Sequence, residues 1–104
     1  MKMRTLNKER KVRRLKELSV YILDAIWNEE PTKTRTGLAL RMKDIRLLIG
    51  GKAVDVHFVE QNPKKSSRYA RRARKGERIA WGFVDGQYTL RVSDTEGIVV
   101  LRDV

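Results

Sequence analysis

The sequence predicts an α+β domain, with an N-terminal helix pair followed by an antiparallel four-stranded sheet that carries one inserted basic helix. Apolar residues recur with helical spacing over residues 7–50, and they alternate with other residues over much of 53–104. At 104 residues, the chain has room for one compact domain. We therefore expect a single domain over residues 1–104, with residues 1–6 disordered.

The first helix is expected from Asn7 to Asn28, because apolar residues share one face of it while arginines point away. The apolar positions are Val12, Leu15, Leu18, Ile22 and Ile26. Glu29, Glu30 and Pro31 end this helix.

A second helix is expected next, and it would complete an antiparallel pair with the first. Hydroxyls at residues 34–36 can cap its start, and Gly50 and Gly51 stop it. Its helical spacing comes from Leu38, Met42, Ile45, Leu48 and Ile49.

The spacing of the apolar residues changes at residue 54. From there to Phe58, apolar residues occupy every second position, which predicts the first strand. Asn62 and Pro63 close that strand. A short helix over residues 64–75 is then expected, started by a serine at 66 or 67 and ended by Gly76.

Three further strands complete the predicted sheet. Alternation over residues 79–84 predicts the first of them, and Asp85 with Gly86 forms a hairpin turn. The pattern continues over residues 88–92, and residues 94–97 lead to a last strand over 98–101.

The charge is large and localised. The chain carries 24 Lys and Arg against 13 Asp and Glu, a formal net charge of +11. Residues 1–20 and 64–78 each hold eight basic residues, with two and one acidic residues respectively, so the remainder is slightly acidic. Clustered positive charge of this size indicates a polyanionic partner.

The basic segment would form one stripe along its helix, because Arg68, Arg71, Arg72 and Lys75 follow the spacing i, i+3, i+4 and i+7. Lys64 and Lys65 would add an anion site at the helix start. A solvated surface helix is the alternative, but the stripe contains no carboxylate. We therefore favour phosphate contact, and we expect the exposed arginines to tolerate alanine without loss of the fold.

The alternation along the strands predicts that four aromatic residues lie on the same face of the sheet: Phe58, Trp81, Phe83 and Tyr88. Unstacked bases can stack on such rings. Because the same predicted face also carries core residues, we expect only two of the four rings to face a ligand. Trp81 and Tyr88 are the first candidates.

The apolar stripe of the first helix also has near-heptad spacing at Leu15, Leu18, Ile22 and Ala25. It could be the seam of a homodimer or higher oligomer. Packing against the second helix of the same chain is the alternative.

Several classes of function are disfavoured. There is no cysteine and only one histidine, His57, and we expect neither a metal nor a cofactor. Asp55, His57 and Glu60 lie close in sequence without an obvious nucleophile, so we expect no enzyme. No apolar run approaches the ~20 residues of a membrane span, and the cytoplasm is the expected compartment.

The run from Gln61 to Ala70, the segment Ala73-Arg74-Lys75-Gly76 and the strand Ile79-Ala80-Trp81 together resemble the archaeal ThermoDBP and ThermoDBP-related single-stranded DNA-binding proteins. The resemblance covers about residues 54–102. It implies an antiparallel sheet with helices against it, a basic and aromatic cleft, and a homo-oligomer. It also implies the ligand contacts of Lys64, Lys65, Arg68, Tyr69, Arg71, Arg72, Trp81 and Tyr88.

The leading hypothesis is sequence-tolerant binding of single-stranded DNA, with phosphates on the basic segment and bases on aromatic rings. RNA is the nearest variant. A small endoribonuclease of the ribosome-dependent toxin type is an alternative, because the tail from Arg78 to Arg102 loosely resembles that class. A scaffold protein that binds a protein partner through its helices is a third class.

Overall fold

The computed structural model describes residues 9–32, 37–68, 70–84 and 88–102, without the side chains of 9–15 and 102. These residues form one helix, α1 (Glu9–Trp27), and five strands: β1 (Ala39–Ile49), β2 (Lys52–Gln61), β3 (Ile79–Val84), β4 (Tyr88–Ser93) and β5 (Gly97–Arg102). The strands form a single sheet in the order β1-β2-β3-β4-β5, and every neighbouring pair is antiparallel. The fold is therefore mostly sheet, and the predicted α+β class, with two N-terminal helices and a four-stranded sheet, is wrong.

The predicted second helix is wrong, because residues 39–49 form strand β1. Its burial alternates: Ile45 and Leu47 are buried, whereas Met42 and Leu48 are exposed at 39% and 78%. The helical spacing thus mixed residues from both faces of a strand. Gly50 and Gly51 are not a helix stop but a two-residue hairpin turn, in which both residues have positive φ, at 59° and 81°.

The predicted basic helix is also wrong, because its residues form a loop, residues 62–78, which we call the basic loop. Asn62 starts a turn in which its side-chain oxygen accepts from Lys64 N at 3.0 Å and its carbonyl accepts from Lys65 N at 3.0 Å. Ser67 starts a second turn by accepting from Ala70 N at 3.1 Å. Gly76, with φ at 79°, closes a third between Arg74 and Glu77.

Other elements confirm the sequence predictions. The first helix is present as α1, and strands occupy the four segments assigned by alternation, as β2 to β5. The sheet has five strands rather than four because β1 replaces a helix. The predicted turn at 85–86 and the predicted disorder at 1–6 fall outside the described residues.

The core lies between α1 and one face of the sheet, which we call the inner face. Ile22, Leu23 and Ile26 of α1 are fully buried there. They form one cluster with the sheet residues Ile45, Leu47, Val56, Phe58, Ala80, Val84, Leu90 and Val92. Gly82 leaves room for a ring of this cluster, because a Cβ at that position would lie 2.5 Å from Phe58 Cε1.

The opposite face of the sheet, the outer face, is not covered by a helix in the part of the chain that the structure describes. Trp81 and Phe83 project from it, because the register pairs Phe58 of the inner face with Gly82. The interpretation that all four aromatic residues share one face is therefore wrong. Phe58 is in the core, and Tyr88 packs against the core from the inner face.

Candidate functional site

The outer face contains an apolar groove of about 580 Å³ between the sheet and the basic loop. Strands β2 to β5 supply its floor, and the basic loop and the start of β1 supply walls. Its lining residues are Leu38, Ala39, Val59, Gln61, Ser67, Ala70, Trp81, Phe83, Thr89 and Leu101. The groove is an open, apolar surface on the side of the sheet away from the core.

Two aromatic rings stand in this groove two residues apart on β3. Phe83 is 47% exposed, and Trp81 is half-buried. The indole Nε1 of Trp81 donates to Gln61 Oε1 at 2.6 Å, which fixes the orientation of the ring. The rings therefore form a pre-positioned surface on which flat apolar groups can stack.

Gln61 connects this aromatic surface to the basic loop. Its side chain is buried, with 3% exposure, and its Nε2 donates to the carbonyls of Arg71 at 2.7 Å and Lys65 at 3.3 Å. One amide thus contacts Trp81 with its oxygen and two points of the loop with its nitrogen. This arrangement sets the distance between the rings and the loop.

The basic loop presents its positive charges at the surface. Its exposed cations are Lys64, Lys65, Arg68, Arg72, Arg74 and Lys75. Within the described ranges, the side chains of Lys64, Lys65, Arg72 and Lys75 form no ion pair. Their charge is therefore available to a polyanion beside the groove.

Arg71 differs from these cations because it anchors the loop. Its guanidinium forms two hydrogen bonds with Glu77, at 2.8 and 2.9 Å, and a third with Glu96 at 2.6 Å. Glu77 is 3% exposed. The bond to Arg71 holds the pKa of Glu77 well below its usual range, although burial opposes the shift, and the same bond raises the pKa of Arg71.

Further hydrogen bonds join this anchor to the β4–β5 hairpin. Ser93 Oγ and Thr95 Oγ1 donate to Glu77 Oε2 at 2.6 and 3.0 Å. Glu96 also pairs with Arg74 and Arg91, at 3.1 and 3.0 Å. The basic loop is therefore held against the sheet by a partly buried network centred on Glu77, although it has no regular secondary structure.

The structure brings most of the predicted cations together, but not as a stripe. Lys64, Lys65, Arg68, Arg72 and Lys75 are all exposed on one loop, whereas Arg71 is engaged internally. Trp81 faces the groove, Tyr88 lies on the other side of the sheet, and Tyr69 lies outside the described residues.

Sequence reasoning ranked Phe83 below Tyr88 and did not assign Gln61. Phe83 could have been found, since residues two apart on one strand share a face and Trp81 was already a candidate. The sequence gives no signal for Gln61, because its role depends on the basic loop packing against the outer face of the sheet.

The residues considered for catalysis do not converge. His57 and Asp55 lie on the outer face and form separate pairs, His57 with Asp44 at 2.8 Å and Asp55 with Arg46 at 2.8 Å. Glu60 faces the inner side and bonds Arg41 at 3.0 Å. Among the described residues, no group of three or more Asp, Glu or His could hold a metal ion.

A second cationic cluster closes the inner face near the end of α1. The guanidinium carbons of Arg41 and Arg78 lie 4.4 and 5.6 Å from the ring centroid of Trp27. Arg41 also bonds Glu60, which is 2% exposed, and burial raises the pKa of that carboxyl. These arginines are held by ring and carboxylate together, which indicates a structural role.

Two other observations bear on what this chain can be. No helix in the described ranges is long and apolar enough to cross a membrane. No protein-family model matches the chain, and no curated protein and no solved structure matches it significantly.

Proposed function

We propose that this protein binds single-stranded nucleic acid in the outer-face groove, without covalent chemistry and with little dependence on sequence. The observation that carries the proposal is the juxtaposition of two groove rings, Trp81 and Phe83, with a loop of exposed cations on the same face. DNA is the ligand that the resemblance to ThermoDBP proteins implies.

The phosphates would lie along the basic loop. Lys64, Lys65 and Arg72 are exposed and unpaired within the described ranges, so contact with a phosphate breaks no existing ion pair. Each such contact releases condensed counterions and makes the affinity depend on salt. It does not distinguish one base from another.

The bases would stack in the groove. Base stacking on aromatic side chains contributes roughly 1–3 kcal/mol per base and tolerates any base, because every base has a π face. The orientation of the Trp81 ring is fixed by Gln61, so little ordering is needed when a base arrives.

This site fits a single strand better than a duplex. Bases in a duplex are stacked on each other and are not available to Trp81 and Phe83. The basic loop also lacks the helical form that enters a major groove.

The outer face of the β1–β2 hairpin has no excess of positive charge, which directs a ligand to the loop end of the sheet. On the β1–β2 hairpin, Arg46 pairs with Asp55, and His57 pairs with Asp44. These pairs leave little net charge to attract phosphate there.

Fluorescence anisotropy with labelled oligo-dT, the matched duplex and oligo-U, each at two salt concentrations, tests the proposal. We expect oligo-dT to bind more tightly than duplex. Preference for oligo-U would identify RNA as the ligand, and preference for duplex would contradict the proposal. Recovery of cut oligo-U, with or without ribosomes, would favour the endoribonuclease instead.

Two matched pairs of variants locate the site. Phe83→Ala removes a half-exposed groove ring, and Tyr21→Ala removes a ring on α1 that is 60% exposed. We expect Phe83→Ala to weaken binding about 5- to 150-fold, which corresponds to the stacking of one base, and Tyr21→Ala to leave it unchanged. Equal effects from both would place the ligand elsewhere.

A charge-matched pair examines the loop in the same way. The triple change of Lys64, Lys65 and Arg72 to Ala removes three loop cations. The control changes Lys16, Arg46 and Lys52, which are also exposed but lie on α1, β1 and β2. Only the loop triple should weaken binding strongly, because the ligand contacts that region directly. Equal losses would indicate a response to net charge alone.

A further inference from the structure

The two edges of the sheet are built differently. At the β1 edge, a bulge separates Ala39 from Arg41, and Thr32 N donates to Leu40 O from outside the strand. Arg41 and Lys43 point to the inner face and form ion pairs there. Bulges, inward charges and covering segments are the devices by which natural sheets prevent edge-to-edge pairing.

Over residues 97–101, the β5 edge has no bulge and no charged residue. Ile98, Val99, Val100 and Leu101 form a continuous apolar run, and all four are half-buried. The register with β4 is regular from Ser93 to Tyr88. Among the described residues, none forms a strand pair or a backbone hydrogen bond with β5 on the side away from β4.

We propose that β5 pairs antiparallel with β5 of a second copy of this chain, so that two five-stranded sheets become one. Antiparallel pairing of identical strands is closed by a two-fold axis and uses the same edge twice, so it ends at a dimer. Pairing of β5 with β1 of another copy would instead grow filaments, and the bulge and inward charges of β1 oppose it.

Pairing at this edge also differs from a seam along the first helix. Ile22 is fully buried in the core of its own chain, and Leu18 packs against the same core. Ile98 and Val100 of β5 also pack against this core, on the inner face of the sheet.

The dimer also has a consequence for ligand binding in the groove, and this consequence rests on the proposed function. Leu101 of β5 lines the groove, so the groove reaches the edge that would pair. The two-fold axis would place both grooves on one continuous outer face. A strand long enough to cross the dyad would contact both basic loops, and its affinity would rise by linkage of the two sites.

Charge reversal at Val99 tests the interface. Val99 is half-buried on the outer face, and near the dyad it would lie opposite or close to its own copy. Val99→Lys and Val99→Glu should each weaken dimerisation at least tenfold through like charges, and a mixture of the two should restore it. Met42→Lys, on the outer face of the β1 edge, should leave it unchanged.

Light scattering at several concentrations reads the result, with thermal unfolding of each variant as a check on the fold. A monomeric wild type at about 100 µM would overturn the proposal. So would Val99 variants that keep the wild-type mass, or a mixture that stays monomeric while both variants unfold cooperatively.

Oligonucleotide length separates this inference from the proposed function. Wild-type dimers should bind long oligo-dT at least tenfold more tightly than Val99→Glu and Val99→Lys monomers, with similar affinity for short oligo-dT. Dimers that bind no oligonucleotide would refute the proposed function and leave the interface standing. A monomeric wild type that binds oligo-dT would refute the interface alone.

Discussion

At the scale of single residues, the pKa values of two buried carboxylates shift in opposite directions, although burial alone would raise both. Glu77 has three kinds of donor around it, from Arg71, Ser93 and the backbone of Arg74, and they stabilise its charged form. Glu60 has one guanidinium, from Arg41, and burial is the larger influence on it. The pKa is therefore lowered for Glu77 and raised for Glu60.

The stability of the fold should consequently fall in acid, and Glu77 should be responsible. Its folded pKa lies below its ordinary value of 4.5, so its stabilisation is complete above that value and is lost as the pH falls. Glu60 acts in the opposite sense, and its protonation on folding adds stability in acid.

Urea unfolding between pH 3 and pH 7 would measure this dependence. We expect Glu77→Gln to be less stable than wild type by about 1.5–3 kcal/mol at neutral pH and to show a flatter pH profile. For Glu60→Gln, the free energy of unfolding should depend on pH more steeply than in the wild type. An unchanged profile in Glu77→Gln would contradict the assignment.

Gly82 is required by the packing of one ring. A Cβ there would meet Phe58 Cε1 at 2.5 Å and Val56 Cγ1 at 2.9 Å, both in the closed core. We expect Gly82→Ala to lower the free energy of unfolding by about 1–3 kcal/mol. Adding Phe58→Leu should recover part of the loss, and a strictly additive double mutant in urea unfolding would argue against the contact.

At the scale of elements, the basic loop shows that an irregular segment can be held firmly by a few side chains. Gln61 holds its first half through the carbonyls of Lys65 and Arg71, and Glu77 holds its second half through Arg71 and Arg74. The expectation that alanine at Arg71 leaves the fold intact assumes an exposed helix face, whereas Arg71 lies in the basic loop and bonds the buried Glu77.

Arg71 and Arg72 are neighbours with different expected roles, and alanine at each position should separate them. Arg71→Ala leaves Glu77 buried without its main partner and should cost about 3–5 kcal/mol of stability. Arg72→Ala should change stability by less than about 0.5 kcal/mol but weaken oligonucleotide binding. Thermal unfolding and anisotropy on the same two proteins give both readouts, and the reverse pattern would exchange the roles.

The sequence predicted α1 and the four strands from β2 to β5, because their apolar period is unambiguous. The prediction failed for β1. Its Leu, Met, Lys and Arg residues favour a helix intrinsically, but pairing with β2 across the Gly50–Gly51 turn outweighs this preference. It failed for the basic loop, where arginine spacing suggested a helix although Asn62, Ser67 and Gly76 form turns. Of the candidate site, the cations and Trp81 were predictable. The face of each ring was not, because it depends on the register between β2 and β3.

At the scale of the whole molecule, the two faces of the sheet have separate tasks. The inner face forms the core with α1, and the outer face carries the groove and the basic loop. Substitutions of exposed groove residues should therefore affect binding with little effect on stability. This separation makes the proposed function testable by mutation.

The affinity for oligo-dT should fall steeply with salt. Each phosphate contact in a single strand contributes about −0.7 to the slope of log affinity against log salt. With several loop cations engaged, we expect a slope between about −2 and −5. Titrations at four salt concentrations would measure it, and the loop triple should reduce the steepness by about 2. A flat profile in the wild type would reject backbone contact.

The order of strands in the sheet is also their order in the chain, and this has a consequence for how the protein folds. Each strand pairs with its neighbour in sequence, so tight turns suffice between β1 and β2 and between β4 and β5. Hairpins of this kind form in about 1–10 µs. The basic loop is the exception, because β2 can pair with β3 only after the chain closes the loop over residues 62–78. Closing that loop is the entropic barrier that should limit the folding rate, and mutations in the Gln61 and Glu77 anchors should act mainly on how fast the chain folds or unfolds around it.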